Sequence, residues 1–316
     1  MYKYIKEGDS LIIISGPTAS GKTKTAINLA KAINGEIISC DSMQVYKKMD
    51  IGTAKPTSEE MEGVPHHLID IINPEDDFSI VTFKEKVFEA MEDIKSRGKV
   101  PILCGGTGFY TNAIIYNTNF SEMAKDEVYR DELFKLVEEK GNEYLFNMLK
   151  EVDFESTLTL HENNVKKVVR ALEFYKLTGE KISVHNEFEK NRKPFFKTFH
   201  FILDINREKL YYRIDKRVDI MVENGLTQEV EDLIKSGLSR TLVSMQGIGY
   251  QEFFKYFDGE LNIDETINLI KKNSRNYAKR QLTWFRNKSQ GIWLNMDILD
   301  EVTVIEEIKK KIFKEV

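Results

Sequence analysis

The segment Gly16–Thr23, GPTASGKT, constrains this chain more than any other stretch of its sequence. It fits Gly-x-x-x-x-Gly-Lys-Thr and lies between the apolar run Leu11–Ile14 and a helical pattern that begins at Thr23. Such a loop holds phosphates by turning backbone amides toward an anion, aided by the positive end of the helix that follows. Gly16, Pro17, Thr18, Ala19, Ser20, Gly21, Lys22 and Thr23 are therefore candidate anion-binding residues. Lys22 would reach the outer phosphates, and the Thr23 hydroxyl would meet Mg²⁺ or a phosphate oxygen.

The loop also directs the fold. Leu11–Ser15, Glu36–Cys40 and Val100–Cys104 read as buried strands, and His67–Ile72 as a possible further one. Thr23–Ile33 and Phe83–Arg97 have helical spacing between them. Strand and helix alternating at this distance imply crossovers, hence a P-loop NTPase-like α/β fold with a parallel sheet flanked by helices. From residue 117 to 193 the chain becomes charged and poor in strand formers. Asp126–Lys140, Glu143–Glu151 and Asn163–Thr178 there read as helices. This predicts a helical insertion domain, 117–193, within a core formed by 1–116 and 194–316. The sheet resumes at Thr198–Asp204, followed by helices over Arg207–Asn224, Thr227–Ser236, Gln251–Tyr256 and Ile263–Asn287. A short strand at Gly291–Leu294 and a closing helix complete a helical C-terminal region.

With 316 residues, 41% of them apolar and 31% charged, the composition is that of an ordinary globular chain. No apolar stretch approaches the roughly 18 residues of a membrane span, and the N-terminus lacks the apolar core of a signal peptide. A cytoplasmic protein without a membrane partner is expected, and a monomer. Cys40 and Cys104 each end an apolar run and read as packed thiols. The net charge of −5 argues against a nucleic-acid partner, yet the distribution argues for one. Between residues 269 and 290 stand Lys271, Lys272, Arg275, Lys279, Arg280, Arg286 and Lys288, with no acidic residue. Such a patch on an acidic body is an electrostatic footprint.

Asp41 falls at the C-terminal tip of a parallel strand beside the phosphate loop, the edge where open α/β sheets bind ligands. A carboxylate there can ligate Mg²⁺, act as a general base or cap a turn. Thr107, after Cys104-Gly105-Gly106, stands at another strand tip. His66 and His67 are adjacent, so on a strand they point apart and make a poor metal pair. Trp284 and Phe285 read as core anchors of the last long helix.

The blocks GPTASGKT, DSMQVYKKMDIGTAKP, PHHLID, GGTGFY, IGYQE and AKRQLTWFR occur in this order. Together they closely resemble the tRNA dimethylallyltransferase, or tRNA isopentenyltransferase, family, from Ile12 to about Leu294. The resemblance implies transfer of a dimethylallyl group from dimethylallyl diphosphate to N6 of the adenosine 3′-adjacent to the anticodon, in tRNAs reading codons that begin with U. It implies that the loop grips the diphosphate as a leaving group, with Mg²⁺. Asp41 matches the family's general base, Thr107 a threonine near the target base, and Arg217 an arginine that contacts the diphosphate from the far side. It places Asp41, Ser42, Met43 and Gln44 at the mouth that receives the flipped adenine of the anticodon stem-loop. Thr107, Arg130, Lys166, Lys167, Arg170, Gln246, Gly247, Gly249, Tyr250, Lys279, Arg280 and Arg286 match tRNA-side positions. Where this chain has Lys166-Lys167 the family usually has Gln-Arg, which keeps charge but loses a planar fork.

Other classes share part of this pattern. A small-molecule or nucleoside kinase explains the loop and Asp41 but not the basic helix. An adenylate isopentenyltransferase acting on free nucleotides shares the front half of the chain. A non-enzymatic RNA-binding protein would not need Lys22, Thr23 and Asp41 intact.

Overall fold

A computed structural model describes residues 2–118 and 126–314. The chain divides into two compact units, Met1–Asn117 with Pro194–Val316, and Thr118–Lys193.

The larger unit is built on β1 (Ser10–Ser15), α1 (Lys22–Ile33), β2 (Gly35–Ser39), β3 (His66–His67), α2 (Ile80–Ser96), β4 (Val100–Gly105) and α3 (Gly108–Ile115). The smaller unit supplies α4 (Glu127–Lys140), α5 (Asn142–Val152), α6 (Phe154–Thr157), α7 (Val165–Thr178) and α8 (Ile182–Lys190). The larger unit then resumes with β5 (Lys197–Asp204), α9 (Arg207–Glu223), α10 (Leu226–Lys235), α11 (Gln251–Phe257), α12 (Ile263–Lys288), β6 (Ile292–Asn295) and α13 (Glu301–Lys314). The six strands form one parallel sheet in the order β3-β2-β4-β1-β5-β6.

β1 is central, with Ile13 opposite Leu103 of β4 on one side and His200 of β5 on the other. Its apolar run is continuous because both faces are covered. Ile12 and Ile14 pack with Leu29, Phe201 and Ile308 on one face, while Leu11 and Ile13 pack with Val87, Met91 and Ile114 on the other. Burying each such side chain stabilises the fold by about 1.5–3 kcal/mol. Both cysteines are buried and free in these layers. A third cluster joins Val45 and Tyr46 to Val218, Leu226, Tyr250 and Ile270, bringing the segment after β2 against α9, α10 and α12.

The expected strand over 67–72 is reduced to His66–His67 and an isolated bridge between Tyr46 and Ile72. Leu68 (φ 64°) and Asp70 (φ 56°) are left-handed, which breaks an extended run. The short helices α6 and α8 and the glycine-led α3 carry too few periodic residues to be read from sequence. Asp153 explains the first two: buried, it accepts from Ser156 N (3.3 Å) and Oγ (2.6 Å), and from Ser183 N (2.9 Å) and Oγ (2.6 Å).

Glu36 on β2 is buried at the sheet's N-terminal edge. It accepts from Arg97 at 2.5 and 2.7 Å, Lys99 at 2.6 Å and His67 at 2.8 Å. The Arg97 hydrogen bonds, with those of Lys99 and His67, hold its carboxyl far below its ordinary 4.5, against the opposing effect of burial. A lowered folded pKa contributes stability above the unfolded pKa and loses it as pH falls. Glu36→Gln should therefore lower the melting temperature at pH 7, by about 2–3 kcal/mol in stability, because the partners are 25–39% exposed and can turn to water. The gap to the wild type should narrow below pH 4.5 in thermal melts. A gap constant from pH 7 to pH 3 would refute the assignment.

Candidate active site

The anion cradle follows from where β1 stops. After Ser15 the chain turns through Ala19 (φ 63°) and Gly21 (φ 95°) before α1 begins. Left-handed residues in such a loop turn successive amides to one side, a concave nest for an anion, and the first amides of α1 have no intrahelical acceptor. Three donors here are already engaged. Thr18 N donates to Gln281 Oε1 at 2.9 Å, and both Ser20 N (3.3 Å) and Lys22 Nζ (2.7 Å) donate to Pro17 O. Ser15 Oγ and Ser20 Oγ are buried without a partner among the described residues. Burial draws the Lys22 ammonium down to about 8; the Arg217 charge adds to this, and Cys104 and Asp41 oppose it. Thr23 is exposed in the first turn of α1. Gly16 and Pro17 are buried beneath the loop.

Arg217, on α9, approaches from across the loop, with its Nη1 3.4 Å from Thr18 Oγ1. Asp41 follows β2. Its Oδ1 accepts from Met43 N at 2.9 Å, which fixes the carboxylate, while Oδ2 has no partner among the described residues. One oxygen thus caps the turn and the other is left without a hydrogen bond among the described residues. The Asp41 charge acts on both Lys22 and Arg217, so the carboxylate and the cradle share one space.

Thr107 caps α3 in position but not by hydrogen bond, and its buried Oγ1 has the Tyr277 phenol as its hydrogen-bonding neighbour. It is placed by α12. Gln281 Nε2 donates to Gly106 O at 3.0 Å, and the Trp284 ring lies on Gly108, where an added Cβ would come within 2.1 Å. Burial lifts the Tyr277 phenol to about 12, and the Asp41 charge adds to it. Tyr277, Gln281 and Trp284 recur at i, i+4 and i+7, one stripe of α12 facing the site. The sequence reading assigned Trp284 to the core and passed over the other two. The signal was a glutamine at an inward position of an amphipathic helix. Phe285 is fully buried, whereas Trp284 is half-buried and its Nε1 has no partner among the described residues.

The expected RNA-side mouth is braced as one body. Gln44 accepts from Ser39 Oγ at 3.0 Å and donates to Ala54 O at 3.2 Å, so its side chain holds the segment in shape. Glu229 on α10 accepts from the backbone amides of Asp50 (2.9 Å), Ile51 (2.8 Å) and Gly52 (3.0 Å) and from Tyr250 Oη (2.7 Å). Met43 lies against Gly247, and Ser42 is half-exposed beside it. Gly249 N donates to Glu252 at 2.8 Å, and Glu252 accepts from Asn273 of α12 at 2.7 Å. Gln246 is exposed, with Nε2 on Thr241 O.

The basic stretch is smaller than its sequence suggests. Lys271 pairs with Asp219 at 2.5 Å, and Arg275 with Asp215, both on α9. Lys279, Arg280 and Arg286 remain exposed, with no carboxylate partner among the described residues. A cavity of about 450 Å³ opens along this face, lined by Lys279, Arg280, Trp284 and Lys288 among others. In the smaller unit Lys166 and Lys167 are exposed. Arg130 and Arg170 instead reach the fully buried Glu173, at 2.8 and 2.6 Å. Of the two, Arg130 holds α4 to α7. His66 Nδ1 meets Val64 O, and His67 meets Glu36.

The protein-family model described as IPP transferase matches residues 44–288. The chain is 48% identical over 302 residues to the tRNA dimethylallyltransferase of Acetivibrio thermocellus, covering 95% of this chain and 96% of that protein. It is 48% identical over 301 residues to that of Lachnoclostridium phytofermentans, with the same coverage. Among solved structures, the full-length tRNA isopentenylpyrophosphate transferase of Bacillus halodurans superposes with a TM-score of 0.74 at 45% identity, over 97% of this chain and 96% of that one. The Staphylococcus epidermidis tRNA delta(2)-isopentenylpyrophosphate transferase gives 0.72 at 43%, over 98% and 100%. A eukaryotic dimethylallyltransferase acting on tRNA gives 0.84 at 29%, over 97% and 80%. With a family model over most of its length and up to 48% identity to these enzymes along almost all of it, the chain belongs to the tRNA dimethylallyltransferase family.

Proposed function

We propose that this prenyltransferase moves the dimethylallyl group of dimethylallyl diphosphate to N6 of the adenosine 3′-adjacent to the anticodon, in tRNAs reading codons that begin with U. The observation that carries the reading is the pairing of a free carboxylate oxygen, Asp41 Oδ2, with an anion cradle in one electrostatic space. An exocyclic adenine amine is a weak nucleophile, because its lone pair is delocalised into the ring. As N6 bonds to the allylic carbon, Asp41 accepts its proton and the carbon–oxygen bond to diphosphate breaks. Negative charge then develops on the leaving group. The amides of the loop, Lys22 and Arg217 stabilise it. The Thr107 hydroxyl, beside the Tyr277 phenol, would meet the incoming base.

Mg²⁺ belongs to the same proposal. Among the described residues no cluster of three or more His, Cys, Asp or Glu side chains could hold an ion. The donors at the cradle are hydroxyls, Thr23 and the unpartnered Ser20 Oγ. That set fits an ion that arrives on the diphosphate and keeps most of its waters. Thr23 would hold it, and it would neutralise charge on the leaving group.

RNA would lie along the exposed Lys279, Arg280 and Arg286 and against the braced mouth at Ser42–Gln44. A single-stranded loop suits this, since its bases can be splayed out and read. Lys166 and Lys167 can add phosphate contacts, with Arg130 and Arg170 shaping the surface behind them through Glu173. No described helix is long and apolar enough to cross a membrane. A cytoplasmic monomer acting on the anticodon stem-loop completes the reading.

Incubation with unmodified tRNA and dimethylallyl diphosphate, followed by nucleoside mass spectrometry, should reveal isopentenyladenosine. Phosphorylated acceptor in place of prenylated acceptor would refute the reading. In the same assay Asp41→Asn should lower turnover about 10²–10⁴-fold with tRNA affinity retained. Removing charge at Lys279 and Arg280 together should weaken tRNA binding and reduce the slope of log affinity against log salt by about one per charge. An unchanged slope would place the RNA elsewhere.

A further inference from the structure

The peptide unit between Pro17 and Thr18 is held at both ends. Its carbonyl accepts from Lys22 Nζ at 2.7 Å, and its N–H donates to Gln281 Oε1 at 2.9 Å. The same side chain donates Nε2 to Gly106 O at 3.0 Å, the carbonyl of the peptide that leads into Thr107. One amide on α12 therefore joins the rim of the anion cradle to the turn that orients the acceptor-side threonine. Its partners stand 263 and 175 residues away in sequence.

The fit is close. A Cβ at Gly106 would lie 2.2 Å from Gln281 Nε2, so only glycine lets the amide approach. Gln281 is 6% exposed. At such a position an apolar side chain would complete the packing, and a buried amide is tolerated only when its polar atoms find partners. Both partners are backbone groups of the site, and neither hydrogen bond touches a reacting atom.

We propose that Gln281 is a positioning residue for prenyl transfer, setting the separation between the diphosphate cradle and Thr107. The inference rests on the reaction proposed above. Lys22 must leave Pro17 O to reach an arriving diphosphate, and Gln281 then retains that peptide. It also keeps the Thr18 N–H turned from the anion, which leaves the loop's later amides and the first turn of α1 as the donors. Displacing reacting groups by about 1 Å costs on the order of 10²-fold in rate, so the bridge acts on turnover.

Gln281→Met keeps the length of the side chain and removes both hydrogen bonds. Its turnover should fall about 10–100-fold with unchanged tRNA affinity, and calorimetry should show weaker binding of inorganic pyrophosphate. Gly106→Ala, which displaces the amide without removing it, should behave alike and covers the case in which Gln281→Met does not fold. The double variant Gly106→Ala/Gln281→Ala separates positioning from packing, because the new Cβ occupies space the amide has left. It should recover the melting temperature lost in Gly106→Ala, while its turnover stays at that of Gln281→Ala. Wild-type turnover in Gln281→Met, or turnover regained in the double variant, overturns the proposal. If the wild type itself transfers no prenyl group, the reaction is misread. Pyrophosphate calorimetry then still decides, since equal binding by wild type and Gln281→Met overturns the bridge.

Discussion

The parallel pairing of β1 with β4 on one side and β5 on the other is the constraint from which the site follows. A strand hydrogen-bonded along both edges and packed on both faces cannot shift its end. The loop that leaves it therefore begins at a fixed point, with its amides pointing in a fixed direction. Because the sheet is parallel, β2 and β4 end on the same edge, and they bring Asp41 and Thr107 there without any long loop. A cradle for an anion, a carboxylate and a hydroxyl thus converge on strand tips, where backbone geometry is stiffest and a site can be preorganised.

α12 gives this edge its second wall. It is anchored by Asn262 and Glu265 in a reciprocal cap at its start, and by Asp215 and Asp219 of α9 along its first half. Those two ion pairs hold the helix in register, so that Tyr277, Gln281 and Trp284 face the strand tips while Lys279, Arg280 and Arg286 face outward. The same turn of helix therefore carries the groups proposed to hold RNA and the amide proposed to set the reacting distance. Glu229 does a comparable job at the mouth. A single carboxylate collects three consecutive backbone amides and a tyrosine hydroxyl, and so ties the segment after β2 to α10 and to Tyr250. The smaller unit applies the same device at Glu173 and Asp153. Buried or half-buried acids with several donors each, more than surface ion pairs, give this charged chain its definite geometry.

Much of this was legible in advance where the signal is local. GPTASGKT after four apolar residues announced a strand, an anion loop and a helix, and β1 and α1 begin within one residue of the expected places. The long periodic helices and the resumption of the sheet at β5 were equally readable. The strand expected over 67–72 failed because two left-handed residues interrupt it, and side-chain pattern does not report backbone sign. The basic stretch over 269–290 was over-counted, because sequence cannot show that Asp215 and Asp219, some 55 residues earlier, neutralise two of its charges.

The sequence by itself determined the periodicities, the loop chemistry and the set of residue types able to do the work, since each depends on neighbours within a few positions. Tertiary structure alone decided that Asp215 and Asp219 neutralise two of the basic residues of α12, and that Gln281 reaches both the anion loop and the Thr107 turn. Those outcomes depend on contacts between residues tens to hundreds of positions apart. Hydrogen bonds and ion pairs fall off within a few ångströms, so no local pattern in the chain encodes them.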